Sequence, residues 1–390
     1  MHEETKLWNK SYIMILILST VINSATQMVT PLVSKFAISL GAQLSIATTI
    51  ASLMSWSALF LRPFAGLLSD RFNRKKIILI SNLAIAVCLL LMSGAKTVTT
   101  LVAIRILHGI AFSFNSVAMM AFNTMYIPKD RLGEGMGWMA LGTIVSQALG
   151  PNIGIALVEK TGYAACFAVA AAVCVVGVLI ILMMHYEHPV SDKSRKLDIN
   201  SLISLRILPY AAIMCLFSAG NGLASNMLVL FGDARGIANI GLFFTAYSIA
   251  MVVVRPFSGK LVDKKGLRFV LYPAIVLSSA AYFVLGSATA LWMVILAAIL
   301  KAVGQGSGQP GIQSTCLRQI GREKAGVVSS TCYIGQDIGN AVAPVIGGFV
   351  VERFGYTNLF YGYAVVLLVG ASLIFFLKYN YDVKKYGDAA

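Results

Sequence analysis

Four ionisable side chains stand deep inside long apolar stretches of this 390-residue chain: Arg105, His108, Lys301 and Asp337. A charge surrounded by hydrocarbon costs about 2.5–3.5 kcal/mol on insertion scales, so each asks for a reason. Such groups can hold a counter-charge or move a proton. Arg105 lies seven residues from the end of its stretch, roughly 10 Å deep at about 1.5 Å per residue. His108 follows one turn deeper, and Lys301 stands 193 positions after His108. A basic pair facing a shared cavity would attract an anionic or zwitterionic group. Asp337 is the one acid of sixteen that falls well inside such a stretch, ten residues from its start. A carboxyl at that depth, roughly 15 Å, is suited to carrying a proton.

Amides accompany the charges. Lys301, Gln305, Gln309 and Gln313 recur at steps of four, which keeps them near one helix face. Gly304, Gly306, Gly308, Pro310 and Gly311 loosen the same segment. Asn23 and Gln27 form another pair at i and i+4, and Asn115, Asn221 and Asn226 stand in further apolar stretches. Each amide reads equally as a substrate contact or as interhelical glue, worth about 0.6 kcal/mol.

Apolar helices must position all of these groups. Hydrophobic residues make up 58% of the chain and charged ones 12%, and the mean hydropathy is +0.79. A water-soluble fold could not hide that much apolar surface. Continuous runs of transmembrane length recur at 11–34, 44–68, 77–95, 98–124, 134–158, 163–185, 208–231, 237–261, 268–288, 290–316, 327–351 and 357–379. They predict twelve helices; a β-barrel would alternate instead. The first run follows Lys6 and Lys10 and is too long for a cleaved signal peptide, so it reads as a retained helix. The six cysteines fall inside the runs without metal-ligand spacing, so neither disulfides, a metal nor a cofactor is expected.

The net charge of +15 raises nucleic acid as a partner. Its distribution argues against that. With the N-terminus inside, 21 of the 31 basic residues fall on one side, in clusters such as Arg74, Lys75, Lys76 and Lys193, Arg195, Lys196. This bias is the positive-inside signature of a multi-pass protein of the cell membrane with both termini cytoplasmic.

The chain also repeats itself. Arg62-Pro63-Phe64 recurs as Arg255-Pro256-Phe257, an offset of 193. Gly66, Leu68 and Asp70 recur as Gly259, Leu261 and Asp263, and Pro151, Gly154, Glu159 and Tyr163 as Pro344, Gly347, Glu352 and Tyr356. An even number of helices per half makes the repeats parallel, related by an axis along the membrane normal. The expected division is a six-helix bundle at 1–185, a polar cytoplasmic linker at 186–207 and a second bundle at 208–390.

After the second run the chain reads Gly66-Leu67-Leu68-Ser69-Asp70-Arg71-Phe72-Asn73-Arg74-Lys75-Lys76. This resembles the signature loop of the major facilitator superfamily, with Asn73 in place of the usual Gly; Asn tolerates the left-handed backbone, which makes the exchange mild. The second copy, with Gly259 and Asp263, keeps Gly266 but has Leu267 where a basic residue is usual. The resemblance implies the superfamily's fold: an all-α membrane protein with twelve transmembrane helices in two pseudo-symmetric bundles, which cycles by alternating access. It further implies that Gly66, Asp70, Arg71, Arg74, Gly259 and Asp263 latch the two bundles on the cytoplasmic face. In the fifth run, Gly142, Gly150, Pro151 and Gly154 resemble the antiporter motif of the drug-exporter branch, although Ile155 replaces its final Gly. There the helix is expected to bend against its partner in the other half. Arg105 with Gly109 resembles the helix 4 motif of the same family, whose helices 1, 4, 7 and 10 line the cavity.

Exporters of organic cations in this family carry buried carboxylates in the first half; this chain has none there. The combined reading is a secondary transporter, not an enzyme, that exports a small organic or amphiphilic compound, anionic or zwitterionic, in exchange for protons. Proton-coupled import or organic-anion exchange is the alternative; a channel or an integral-membrane enzyme is the rival from another class. Sodium stays open as the coupling ion. The partners are the substrate, the proton and the lipid bilayer, and a monomer is expected.

Overall fold

A computed structural model of the chain describes residues 7–127, 132–184, 186, 204–320 and 325–386. Most of the expected linker, residues 187–203 with Lys193, Arg195 and Lys196, lies outside the described residues, as does Lys6. The helices are α1 (Lys10–Val29), α2 (Val33–Ser39), α3 (Leu44–Arg71), α4 (Arg74–Ser93), α5 (Val98–Met125), α6 (Leu132–Met183), α7 (Leu208–Arg235), α8 (Leu242–Lys265), α9 (Leu267–Ser287), α10 (Leu291–Ile320) and α11 (Ala325–Tyr386). A single 3-10 turn, Thr30–Leu32, joins α1 to α2, so the two make one span.

Two of these helices are too long to be single crossings. Straight, the 52 residues of α6 would reach about 78 Å and the 62 of α11 about 93 Å, against a hydrocarbon core of about 30 Å. Each is broken at one glycine with non-helical dihedrals, Gly162 (φ 85°, ψ 174°) and Gly355 (φ 79°, ψ 170°). The Cys166 thiol lies 3.6 Å from the Gly154 carbonyl, a separation that only a chain folded back between them allows. Counting both halves of α6 and α11, the described residues make twelve crossings. The span expected at 237–261 begins instead at Leu242. Gly236 closes α7 in the left-handed region at φ 64°, and the chain turns through Asn239 before α8 can start.

The chain forms two compact units. The first comprises Met1–Ala42 with Leu53–Arg195. Its core gathers Tyr12, Ile15, Leu18, Ile78, Phe122 and Ile181. Glycines set its closest approach: a Cβ at Gly150 would lie 2.7 Å from Gln27 Cβ, one at Gly142 would meet Thr20, and one at Gly154 the Met28 carbonyl. Gly142, Gly150 and Gly154 of α6 are therefore seated against α1 of their own unit. Small residues are what allow backbones this near.

The second unit comprises Gln43–Ser52 with Lys196–Ala390. Its core is aromatic, with Phe217, Phe231, Phe243, Tyr282 and Phe360 in one cluster. The same glycine device recurs: a Cβ at Gly335 would meet the Ala211 carbonyl and one at Gly347 the Leu223 and Met227 side chains. Gly335 and Gly347 are Gly142 and Gly154 shifted by 193. The start of α3, through Ser52, groups with this unit, and there Glu352 Oε1 accepts from Ser45 N at 2.7 Å. Pro310 in α10 cannot donate to the Gly306 carbonyl, and Ser258 Oγ of α8 stands 3.5 Å from that carbonyl in its place.

In the signature loop, Gly66, Asp70 and Arg71 occupy the last turns of α3, and Gly259 and Asp263 those of α8. The surroundings of these five side chains lie outside the described residues. Asn73 corrects one expectation. Its backbone is extended (φ −62°, ψ 107°), not left-handed, and its Oδ1 caps α4 by accepting from Lys76 N at 3.1 Å. Side-chain capping is the reason an Asn replaces the Gly here. Its counterpart Gly266 does adopt positive φ, 79°.

Candidate functional site

Three members of the step-of-four series on α10, Lys301, Gln305 and Gln309, join a connected polar network in the second unit. Lys301, 4% exposed, donates from Nζ to Asn221 Oδ1 at 2.5 Å and to Gln305 Oε1 at 3.0 Å. Gln305 Nε2 donates to Gln309 Oε1 at 3.3 Å, and Gln309 Nε2 to Ser218 Oγ at 3.2 Å. Tyr247 of α8 donates from its hydroxyl to Gln305 Oε1 at 3.3 Å, and its ring face lies 4.0 Å from Lys301 Nζ. Three helices thus meet at one ammonium: α10 carries it, α7 presents Ser218 and Asn221 three positions apart, and α8 supplies the ring.

The electrostatics of this cluster are unusual. Its oxygens belong to amides and hydroxyls, so the ammonium is held by dipoles and a π face, not by a carboxylate. A desolvated cation–π contact is worth up to about 2 kcal/mol, and a hydrogen bond from a charged donor about 1.5–3 kcal/mol. Dipoles solvate a buried cation without cancelling its charge, so the site keeps its attraction for an anion. Asp337, 8% exposed on α11, is not among the Lys301 partners.

Other candidates in this unit do local work. Asn226 Nδ2 donates to the Gly222 carbonyl of its own helix at 2.7 Å. In the first unit, Asn23 Nδ2 likewise bonds Ser19 O at 2.8 Å. Asn115 Nδ2 ties α5 to α4 through Ser81 Oγ at 3.2 Å. Gln27 backs the close approach at Gly150. Arg74 reaches inward, with Nε to Ser69 O at 3.1 Å and Nη1 to Ala121 O at 3.4 Å.

Arg105 and His108 form a buried pair on α5, with Arg105 Nη1 3.3 Å from His108 Nδ1. A guanidinium only donates, so the imidazole accepts at Nδ1 and carries its proton on Nε2. That Nε2 is buried without a hydrogen-bond partner among the described residues. The repeat-related positions 108 and 301 therefore hold different chemistry: a neutral ring with a spare donor in one unit, an ammonium in the other.

Two features escape the sequence. Tyr247 and Ser218 carry no charge or pattern that marks them, and only the fold brings them to Lys301. The second feature is an ion pair at the end of α11. Lys378 Nζ donates to Asp382 Oδ1 at 2.6 Å, with side chains only 4% and 1% exposed. Gln319 Nε2 donates to the other carboxylate oxygen at 3.1 Å, and the ammonium lies 5.6 Å from the Tyr210 ring centroid. Asp382 is expected at an end or in a loop and Lys378 in the topogenic set. Both do lie near the end of α11, which continues to Tyr386, but their side chains are buried there. Their i, i+4 spacing was the available signal.

Twelve crossings, an internal repeat with matching glycine contacts, and ionisable groups held inside the membrane-spanning segments define a multi-pass carrier. The family model described as the Major Facilitator Superfamily matches residues 15–330 and 211–388, and the chain belongs to that superfamily of transporters. Among named relatives it is similar to the multidrug resistance protein MdtG of Enterobacter lignolyticus (strain SCF1), at 27% identity over 367 residues, 89% of this chain and 87% of that one. MdtG of Proteus mirabilis (strain HI4320) is 28% identical over 324 residues, 78% of this chain and 79% of that one. Among solved structures, the nucleoside transporter NupG superposes with a TM-score of 0.76 at 14% identity, covering 94% of this chain and 99% of that one. A POT family transporter in complex with a thioalcohol-conjugated peptide gives 0.80 at 13% identity, covering 96% of each chain.

Proposed function

We propose that this transporter exports a small amphiphilic compound bearing an anionic or zwitterionic group, driven by inward proton flow. One observation carries the reading: the buried Lys301 ammonium is cradled by Asn221, Gln305 and the Tyr247 ring, with no carboxylate partner among the described residues. Such a site offers its charge to an acidic group, its ring to an apolar body and its amides to polar substituents. The names of the similar MdtG proteins support export of diverse compounds. We assign Arg105, His108 and the amides Asn23, Gln27, Asn115 and Asn226 to the substrate-binding set alongside their local bonds and contacts, and take Asp337 as the proton carrier.

In this reading the bundles at 1–185 and 208–390, joined by 186–207 with both termini cytoplasmic, rock about a midplane site in the cell membrane. Gly66, Asp70, Arg71 and Arg74, with Gly259 and Asp263, latch one side. Gly150, Pro151 and Gly154 shape the moving helix. A monomer suffices. The test is uptake into inside-out proteoliposomes of matched acidic and neutral amphiphiles by wild type and Lys301→Gln. The acidic compound loses at least tenfold in apparent affinity, the weight of one charged hydrogen bond, and the neutral one little. Equal losses for both would overturn the anion assignment, and flux only against the opposite gradient would overturn export.

A further inference from the structure

A cavity of about 460 Å3 at the start of α4 lies outside the polar network, against the last residues of the signature loop. Asn73, Lys75, Lys76, Leu79, Ile80 and Tyr186 line it, at the rim where α4 begins and α6 ends. Lys75 Nζ bonds the carbonyls of Leu182 at 3.3 Å and Met184 at 2.5 Å, which fixes it in place while it remains cationic. Lys76 stands exposed. Among the described residues neither lysine has a carboxylate partner, so the rim holds two positive charges.

What continues from that rim decides its partner. Beyond Lys76 come Ile80, Leu83, Val87 and Leu90, all exposed, at steps of four, three, four and three. That spacing keeps all five on one face of α4. From Lys76 to Leu90 the stripe runs about 21 Å, more than half of a hydrocarbon core of about 30 Å. In a membrane-spanning helix, an exposed apolar face of this length meets acyl chains. A cationic rim at the head of an acyl-facing stripe, with a tyrosine beside it, mirrors a phospholipid: phosphate at one end, hydrocarbon behind. Two ammonium groups with no carboxylate partner among the described residues favour a headgroup with net negative charge over a zwitterionic one, which brings its own cation.

The second bundle shows that the architecture does not require this rim. The offset of 193 carries Lys75 to Arg268, whose guanidinium sits over the Tyr379 ring at 5.6 Å. It carries Lys76 to Phe269, an exposed apolar residue. We propose that the α4 groove seats the headgroup of one anionic phospholipid of the surrounding bilayer, with an acyl chain along Ile80, Leu83 and Val87.

The test is native mass spectrometry of the full-length protein in detergent. It is titrated with phosphatidylglycerol, phosphatidylcholine of the same acyl chains, and inorganic phosphate. Wild type retains one phosphatidylglycerol in preference to phosphatidylcholine. A lysine near the surface is worth roughly fivefold in lipid affinity, so Lys76→Gln cuts the preference about that much and Lys76→Arg keeps it. Leu83→Asn lowers phosphatidylglycerol retention without touching the rim. Equal retention of the two lipids by wild type, an unchanged preference in Lys76→Gln, or unchanged retention in Leu83→Asn would each overturn the proposal. So would displacement by inorganic phosphate at equal concentration, which would mark a site for free anions only.

Discussion

Single residues carry the chemistry, and their roles separate experimentally. Asp337 and Lys301 are both buried in the second unit, yet Lys301 is held by amide oxygens and a ring. If Asp337 carries the proton, Asp337→Asn abolishes substrate flux driven by a pH gradient but spares substrate–substrate exchange. Retained gradient-driven flux in everted vesicles would remove it from that role. The Lys378–Asp382 pair makes a different forecast. Removing one partner of a buried pair strands the other, at a cost of about 3 kcal/mol or more. Asp382→Asn therefore lowers the melting temperature in detergent, and the double variant Lys378→Met with Asp382→Leu recovers most of the loss. A double variant no more stable than the single one would show that the pair is more than a self-cancelling charge couple. From sequence, Lys301 and Asp337 stood out because hydrocarbon makes charge conspicuous. Tyr247 did not, because an aromatic in an apolar run looks like core until a cation is placed on its face.

Helices, as elements, are positioned by glycine and relieved at proline. The α6 and α11 glycines fix how near α1 and α7 can come, and substitution tests this directly. At Gly339 a Cβ would strike the Cys215 carbonyl, whereas at Gly362 it would meet nothing within 4 Å. Overpacking a tight contact costs about 1–3 kcal/mol. Gly339→Val thus lowers the melting temperature and Gly362→Ala leaves it within about a degree; similar shifts for both would contradict the packing described. Element existence was legible because runs of about twenty apolar residues have one solution in a bilayer. Element ends were less so. α3, α8 and α11 continue past their apolar runs into charged sequence, since backbone hydrogen bonding does not stop where hydrophobicity does. Asn73 was misjudged for a related reason: an Asn at a helix boundary can be left-handed or can cap, and composition does not distinguish the two.

At the scale of the whole molecule, one offset of 193 organises residues, glycine contacts and chain breaks alike. The duplication was readable because its spacing never slips across the compared positions. Chemistry has since diverged between the copies, as His108 against Lys301 and Lys76 against Phe269 illustrate. The latch forecast belongs to this scale. Asp70→Asn cripples transport while membrane insertion, followed by a C-terminal fluorescent reporter, stays at wild-type level. Normal flux in that variant would remove Asp70 from the conformational cycle.

Gly162 and Gly355 each join two crossings through a single residue whose dihedrals L-amino acids rarely adopt. Each bundle therefore reverses direction at one corner on a single residue, beside the exposed charges of Glu159 and Lys160 in one and Glu352 and Arg353 in the other. A turn this short leaves an inserted epitope no loop to extend. Binders raised to trap this protein for imaging will have to grip it elsewhere, and scanning insertions will register these two corners as silent in tolerance maps.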